Sequence, residues 1–150
     1  MRKTTAAIAM FIGGMLYVSS RSESLIMFRW FDVMGLRNEV QAFRALTVPY
    51  LELFPKWVYL SLPQALWYFS GLLAFECIWG SMAATCRQRC AWVLTFSGMA
   101  LGLEIGQWLH LVPGRFDILD LAFMLLAWSV VVIISSLERR RLLSVQLGGS

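Results

Sequence analysis

Residues 101–128 read LGLEIGQWLHLVPGRFDILDLAFMLLAW, two apolar runs joined at Val112-Pro113-Gly114-Arg115. Both runs are too long for strands, and Pro-Gly is a turn dipeptide, so the stretch predicts two antiparallel helices. Glu104, Gln107, Arg115, Asp117 and Asp120 are set among the apolar residues. An ionisable group in such a span is costly unless it faces protein, water or a partner, which makes each a candidate functional residue.

The whole chain agrees with that reading. Of its 150 residues, 59% are hydrophobic and 15% charged, against roughly 25% charged in ordinary soluble domains. Mean hydropathy is +0.66. These values predict an integral membrane protein forming a single domain over 1–150. The net charge of +4 does not point to nucleic acid, because the basic residues stand at the ends of apolar runs: Arg2-Lys3, Arg87 and Arg89, and Arg139-Arg140-Arg141. Charge placed there orients spans and meets anionic head groups.

Outward from the hairpin, apolar runs predict an all-α, polytopic fold with four transmembrane helices, at about 4–20, 62–84, 91–112 and 116–137. The later three exceed the roughly 20 residues a bilayer requires. The first is about 25 Å long at the helical rise, and its short apolar run behind Arg2-Lys3 also suits a cleaved signal peptide. Segment 21–61 differs: five basic and four acidic residues alternate with Phe28, Trp30, Phe31, Phe43, Tyr50, Phe54, Trp57 and Tyr59. Such a mixture suits helices lying at the membrane interface, or a small cap on the helix ends. Asn38 is placed to cap a helix through about Leu46 with Val40, Phe43 and Leu46 along one stripe, and Pro49, Pro55 and Pro63 are expected to break the path. The tail from Glu138 is basic at first and ends in Gly148-Gly149-Ser150, where it is expected to fray. With four spans the basic clusters share one side, so the positive-inside rule places both termini in the cytoplasm and segment 21–61 outside.

Residues three apart share a helix face, so Glu104 lies with Gln107, and Asp117 with Asp120. Across the turn the two pairs can meet in one interhelical seam. Asp117 also suits a helix N-terminus with Arg115 beside it, and Gln107 is placed to bond Asp120. Glu104 has no local neutraliser. Burial should raise the pKa of at least one carboxylate. His110 reads as an interfacial anchor, and Glu76 as a packing residue bonded to Thr95 or Ser97.

The chemistry that the sequence excludes is broad. Cys86 and Cys90 flank Arg87-Gln88-Arg89, but the chain has one histidine, so no zinc site is predicted. No cofactor motif, phosphate loop or nucleophilic triad is present, and positive evidence for an enzyme is thin.

The pattern E-x2-Q, P-G-R, D-x2-D, carried by Glu104, Gln107, Pro113, Gly114, Arg115, Asp117 and Asp120, resembles the VanZ-like family of small bacterial membrane proteins. Where that family commonly continues with asparagine and glycine, this chain has Met124 and Ala127. The resemblance implies a bacterial inner-membrane protein concerned with the cell envelope, and supplies no reaction. The reading that follows is a binding protein for an envelope lipid or glycolipid. Glu104 and Asp120 would form the floor of its seam, with Gln107, Arg115 and Asp117 at the rim and Trp57, Tyr59 and Trp67 as cover. The alternative is a non-catalytic accessory subunit of a larger membrane complex, with a membrane-protein partner and no nucleic acid.

Overall fold

The computed structural model describes residues 2–81, 86–112 and 116–148, all of them helix or short connection. The order is α1 (Arg2–Ser20), α2 (Ile26–Val33), α3 (Arg37–Leu51), α4 (Lys56–Leu60), α5 (Leu62–Ser81), α6 (Cys86–Trp108) and α7 (Ile118–Gly148).

The all-α class stands, but the four-span arrangement is overturned. Among the described residues one helical stretch, Ile118–Leu137, is long and apolar enough to cross a membrane, with a mean hydropathy of 2.4. The physical reason lies in what the helices contain. Helix α1 carries Thr4, Thr5, Gly13, Gly14, Tyr17 and two serines behind its basic start. Helix α5 is diluted by Gln64, Trp67, Tyr68, Ser70 and Glu76. In α6, Arg87, Gln88 and Arg89 join Thr95, Ser97, Glu104 and Gln107. The placement of both termini in the cytoplasm rested on four crossings and loses that support.

Helix α7 runs through to Gly148, beyond the expected end of the span at 137, since the tail contains good helix formers and no proline. Helix α3 begins one residue before Asn38, at Arg37, and includes Pro49 two residues before its end. A proline that close to the end of a helix disturbs little of the ladder after it. The inner face of α3 is Val40, Phe43, Arg44 and Thr47, all half-buried, while Leu46 is exposed. Thr47 takes the position expected for Leu46, where its hydroxyl lies 3.0 Å from both the Phe43 carbonyl and Ser19 Oγ of α1 and can donate to either.

The connections are specified locally. Gly35, at a φ of 74°, ends α2, with Leu36 N–H donating to the Phe31 carbonyl (2.8 Å) and Gly35 N–H to Asp32 (3.1 Å). This is a Schellman turn, which glycine adopts without steric cost. The end of α6 has the same bonding, Leu111 N–H to Gly106 (2.8 Å) and His110 N–H to Gln107 (3.1 Å), with His110 at a φ of 57°. His110 is therefore the residue on which the helix turns off.

Helix α5 is the centre of the packing, with α1 and α7 along it and α6 and α4 against it. Among the described helices α6 packs more closely on α5 than on α7. Ala6, Tyr68, Leu72, Leu73, Met124, Ala127 and Val131 form the core, with Phe69, Val93, Phe96 and Ala100 against it. Small residues let α1 approach: a Cβ on Gly13 would stand 2.8 Å from Trp67 Cδ1 and 3.1 Å from the Pro63 carbonyl. Ser70 Oγ donates to the Ala6 carbonyl (2.8 Å) across the same contact.

Candidate functional site

The polar residues of the interior fall into two groups, one toward each end of α5. The first begins where α4 gives way to α5 at Ser61-Leu62-Pro63-Gln64. Proline in the first turn costs no hydrogen bond, because the leading N–H groups of a helix have no internal acceptor. Ser61 is 1% exposed, and its carbonyl accepts the Ala65 N–H (3.2 Å). Gln64, one turn into α5, points to α6, where its Nε2 donates to Glu104 Oε1 (2.5 Å). Its amide also lies 4.0 Å from Met124 Sδ of α7.

Glu104 is 0% exposed and Asp120 is 8% exposed. Ser61 stands beside Asp120, and the Asp120 and Glu104 carboxyls are close enough to feel one another's charge. Arg21, at the exit of α1, extends its charge to Asp120, while its Nη2 donates to the Leu60 carbonyl (3.1 Å) and its guanidinium lies over Tyr17 (5.2 Å). Four elements thus converge here. Burial pushes the Glu104 carboxyl above the ordinary carboxylate range, the Gln64 amide pulls it back, and the charges of Asp120 and Asp117 push it further up.

This group leaves several buried polar atoms unmet. Glu104 Oε2, Asp120 Oδ1, Ser61 Oγ and Arg21 Nε are buried and have no hydrogen-bond partner. Buried polar atoms in folded proteins are nearly always satisfied, and each exception requires a reason.

The structure sorts the five residues expected from the sequence. Glu104 and Asp120 come together. Asp117 is half-buried and accepts the Leu119 N–H at its Oδ1 (3.0 Å), which makes it the cap of α7's first turn. Gln107 is half-buried, and no hydrogen bond joins it to Asp120 among the described residues. Arg115 lies outside the described residues, as do Pro113 and Gly114. Both α6 and α7 pack on α5, whose Gln64 bonds Glu104 and lies near Met124.

Three members escaped the sequence reading: Ser61, Gln64 and Arg21. The available signal was a glutamine and a serine flanking Pro63 at the head of an apolar run. Of the expected cover residues, Trp57 stacks on Phe123 (5.4 Å), within a turn of Asp120. Trp67 instead turns to α1, donating to the Met10 carbonyl (3.3 Å) beside Tyr17 (4.8 Å).

The second group gathers on Glu76. Its Oε2 accepts from Arg89 Nη2 of α6 (2.7 Å) and from Ser135 Oγ of α7 (3.3 Å), and lies 3.8 Å from Arg2 Nη1 of α1. The expected partners are otherwise engaged: Ser97 pairs with the Tyr68 hydroxyl (2.7 Å), and Thr95 donates to Ala91 (2.9 Å).

Among the described residues no group of His, Cys, Asp and Glu is arranged to hold a metal ion. No protein-family model matches this chain, and neither does any curated protein or solved structure.

Proposed function

We propose that this chain is a membrane-associated binding protein of the bacterial envelope that holds the polar head of an amphiphile at Glu104 and Asp120. The observation that carries the reading is the pair of buried carboxylates, each with an oxygen that nothing in the fold satisfies. Leaving such atoms unpaired costs about 1–3 kcal/mol each, more for charged groups, and a hydrogen-donating ligand recovers that cost. The wide apolar surface supports the membrane part of the proposal: Ile8, Phe11, Leu94, Met99, Leu103, Leu125 and Ile133 are all exposed. Exposed apolar area on that scale marks a membrane or partner surface. The stretch Ile118–Leu137, of which 28% is buried, supplies the anchor. The motif resembling the VanZ-like family is the basis for placing it in the envelope of a bacterium, at the inner membrane.

The test is native mass spectrometry of the tagged protein extracted gently from its own membranes, wild type beside Glu104→Gln, with thermal unfolding as the folding control. A bound amphiphile present in wild type and lost from the intact variant is the expected result. The same bound species in both proteins would overturn the reading.

A second reading, an accessory subunit, is favoured by one feature of α2. Ile26, Trp30, Val33 and Met34 are exposed at spacings that share a helix face. A stoichiometric protein partner lost on Trp30→Ser, with Glu104→Gln silent, would favour it over the first.

A further inference from the structure

The unsatisfied atoms of the first group have a chemical pattern more specific than polarity. Three are oxygens, Glu104 Oε2, Asp120 Oδ1 and Ser61 Oγ, and they come from α6, α7 and the start of α5. The serine hydroxyl is not part of the acidic pair, yet it is 99% buried and stands against Asp120, with whose carboxylate it interacts. The fourth atom is a donor, Arg21 Nε, on a side chain whose charge reaches Asp120. Around the cluster the carboxylates of Glu104, Asp120 and Asp117 face the single cation Arg21 among the described residues. The site is short of positive charge on its carboxylate side and holds an unused cationic donor on the other.

A ligand that matches must bring several donors on one compact positive centre, and an anionic acceptor a short distance away. A sugar hydroxyl brings one donor and no charge. A quaternary ammonium brings charge without donors. A guanidinium carries five donors in a flat fork, which suits one carboxylate face rather than oxygens arriving from three helices. A primary ammonium presents three N–H groups from one nitrogen. Its anionic neighbour would be a phosphate, for which a guanidinium N–H is a preferred donor.

Resting on the binding reading above, we infer that the group held here is a primary ammonium joined to a phosphate, the phosphoethanolamine arrangement, carried by a lipid or by a soluble phosphodiester. The ammonium sits among Glu104 Oε2, Asp120 Oδ1 and Ser61 Oγ, and the phosphate meets Arg21. Arg21, Gln64 and Asp117 are half-buried around the buried oxygens. Gln64 keeps its amide on the far oxygen of Glu104, so the carboxylate is held in place whether or not the ligand is present.

The experiment uses the purified full chain in mixed micelles. Native mass spectrometry compares phosphatidylethanolamine with its mono-, di- and trimethylated counterparts of identical acyl chains, in wild type, Ser61→Ala and Glu104→Gln. Retention should fall at each methylation, by about tenfold or more from the primary amine to the quaternary one, as charge-assisted donors are lost. Ser61→Ala should weaken the primary amine by about threefold, on the scale of one neutral hydrogen bond, and leave the quaternary lipid unchanged. Soluble glycerophosphoethanolamine added as competitor separates the sources: displacement supports recognition of the phosphoamine alone, and persistence supports the same group on a lipid. Equal retention across the methylation series, with loss in Glu104→Gln, would overturn the ammonium assignment and spare the binding reading. Equal retention in wild type and Glu104→Gln would overturn both.

Discussion

Glu76 and Glu104 are each a glutamate on the inward face of an apolar helix, and they are treated in opposite ways. Glu76 has cations from two helices and a hydroxyl from a third directed at one oxygen. Glu104, more deeply buried, receives a single neutral amide and keeps an oxygen with no partner. The first arrangement ties α1, α6 and α7 to α5. The second leaves interaction energy unrealised inside the protein. The contrast separates a charge that serves folding from a charge that folding tolerates, and the tolerated one is where a ligand has something to add.

Substitutions can break this contrast, and their effects should descend in a definite order. Glu76→Ala strands Arg89 in a partly buried setting, removes one contact of Arg2, and should lower unfolding stability by roughly 2–3 kcal/mol, below the full cost of a broken buried pair because the partners retain some water. Chemical denaturation reads it, and a loss under about 0.5 kcal/mol would remove the structural role given to Glu76. Gly71→Ala comes next. Its Cβ would stand 2.5 Å from Phe96 Cζ, between the two clusters, and such crowding should cost roughly 1–2 kcal/mol. Asp117→Ala removes the α7 cap and should cost about 1 kcal/mol; a comparable loss of ligand affinity would return Asp117 to the binding set. Glu104→Gln should change stability least, by less than about 1 kcal/mol in either direction, because it removes a buried charge while an oxygen remains for Gln64. The same variant should show the greatest loss of bound amphiphile. A melting temperature that collapses in Glu104→Gln would erase the distinction between the two glutamates.

The sequence made one part of this legible and hid another for a definable reason. Glu104, Asp117 and Asp120 stand within a single hairpin, where helical spacing alone predicts that Glu104 and Asp120 can meet and that Asp117 opens a helix. Gln64 lies 40 residues from its partner Glu104 in the chain, and Arg21 and Ser61 lie farther still from Asp120. Local periodicity cannot bring together residues whose proximity depends on how α1 and α5 pack. The same locality misassigned Glu76, whose partners come from three other helices. The four-span expectation failed differently: run length was read as hydropathy, while Gln64, Tyr68, Ser70 and Glu76 in α5 belong to polar contacts that make the helix less apolar. Helix α7 was placed within two residues at its start, at 116 rather than Ile118, because Asp117 marks it chemically, and its end was missed because nothing in the tail stops a helix before Gly148.

The chain's one histidine completes a turn that glycine would make more easily. A reagent directed at imidazoles has a single, exposed target in the whole molecule, and modifying it reaches the punctuation of α6 rather than Glu104 or Asp120. His110→Gly should leave ligand retention intact and hold or raise stability by up to about 1 kcal/mol, since glycine suits a positive φ. A residue that a search for catalysts would select first thus doubles as a control, reporting whether a treatment has disturbed the helix end without touching the buried oxygens.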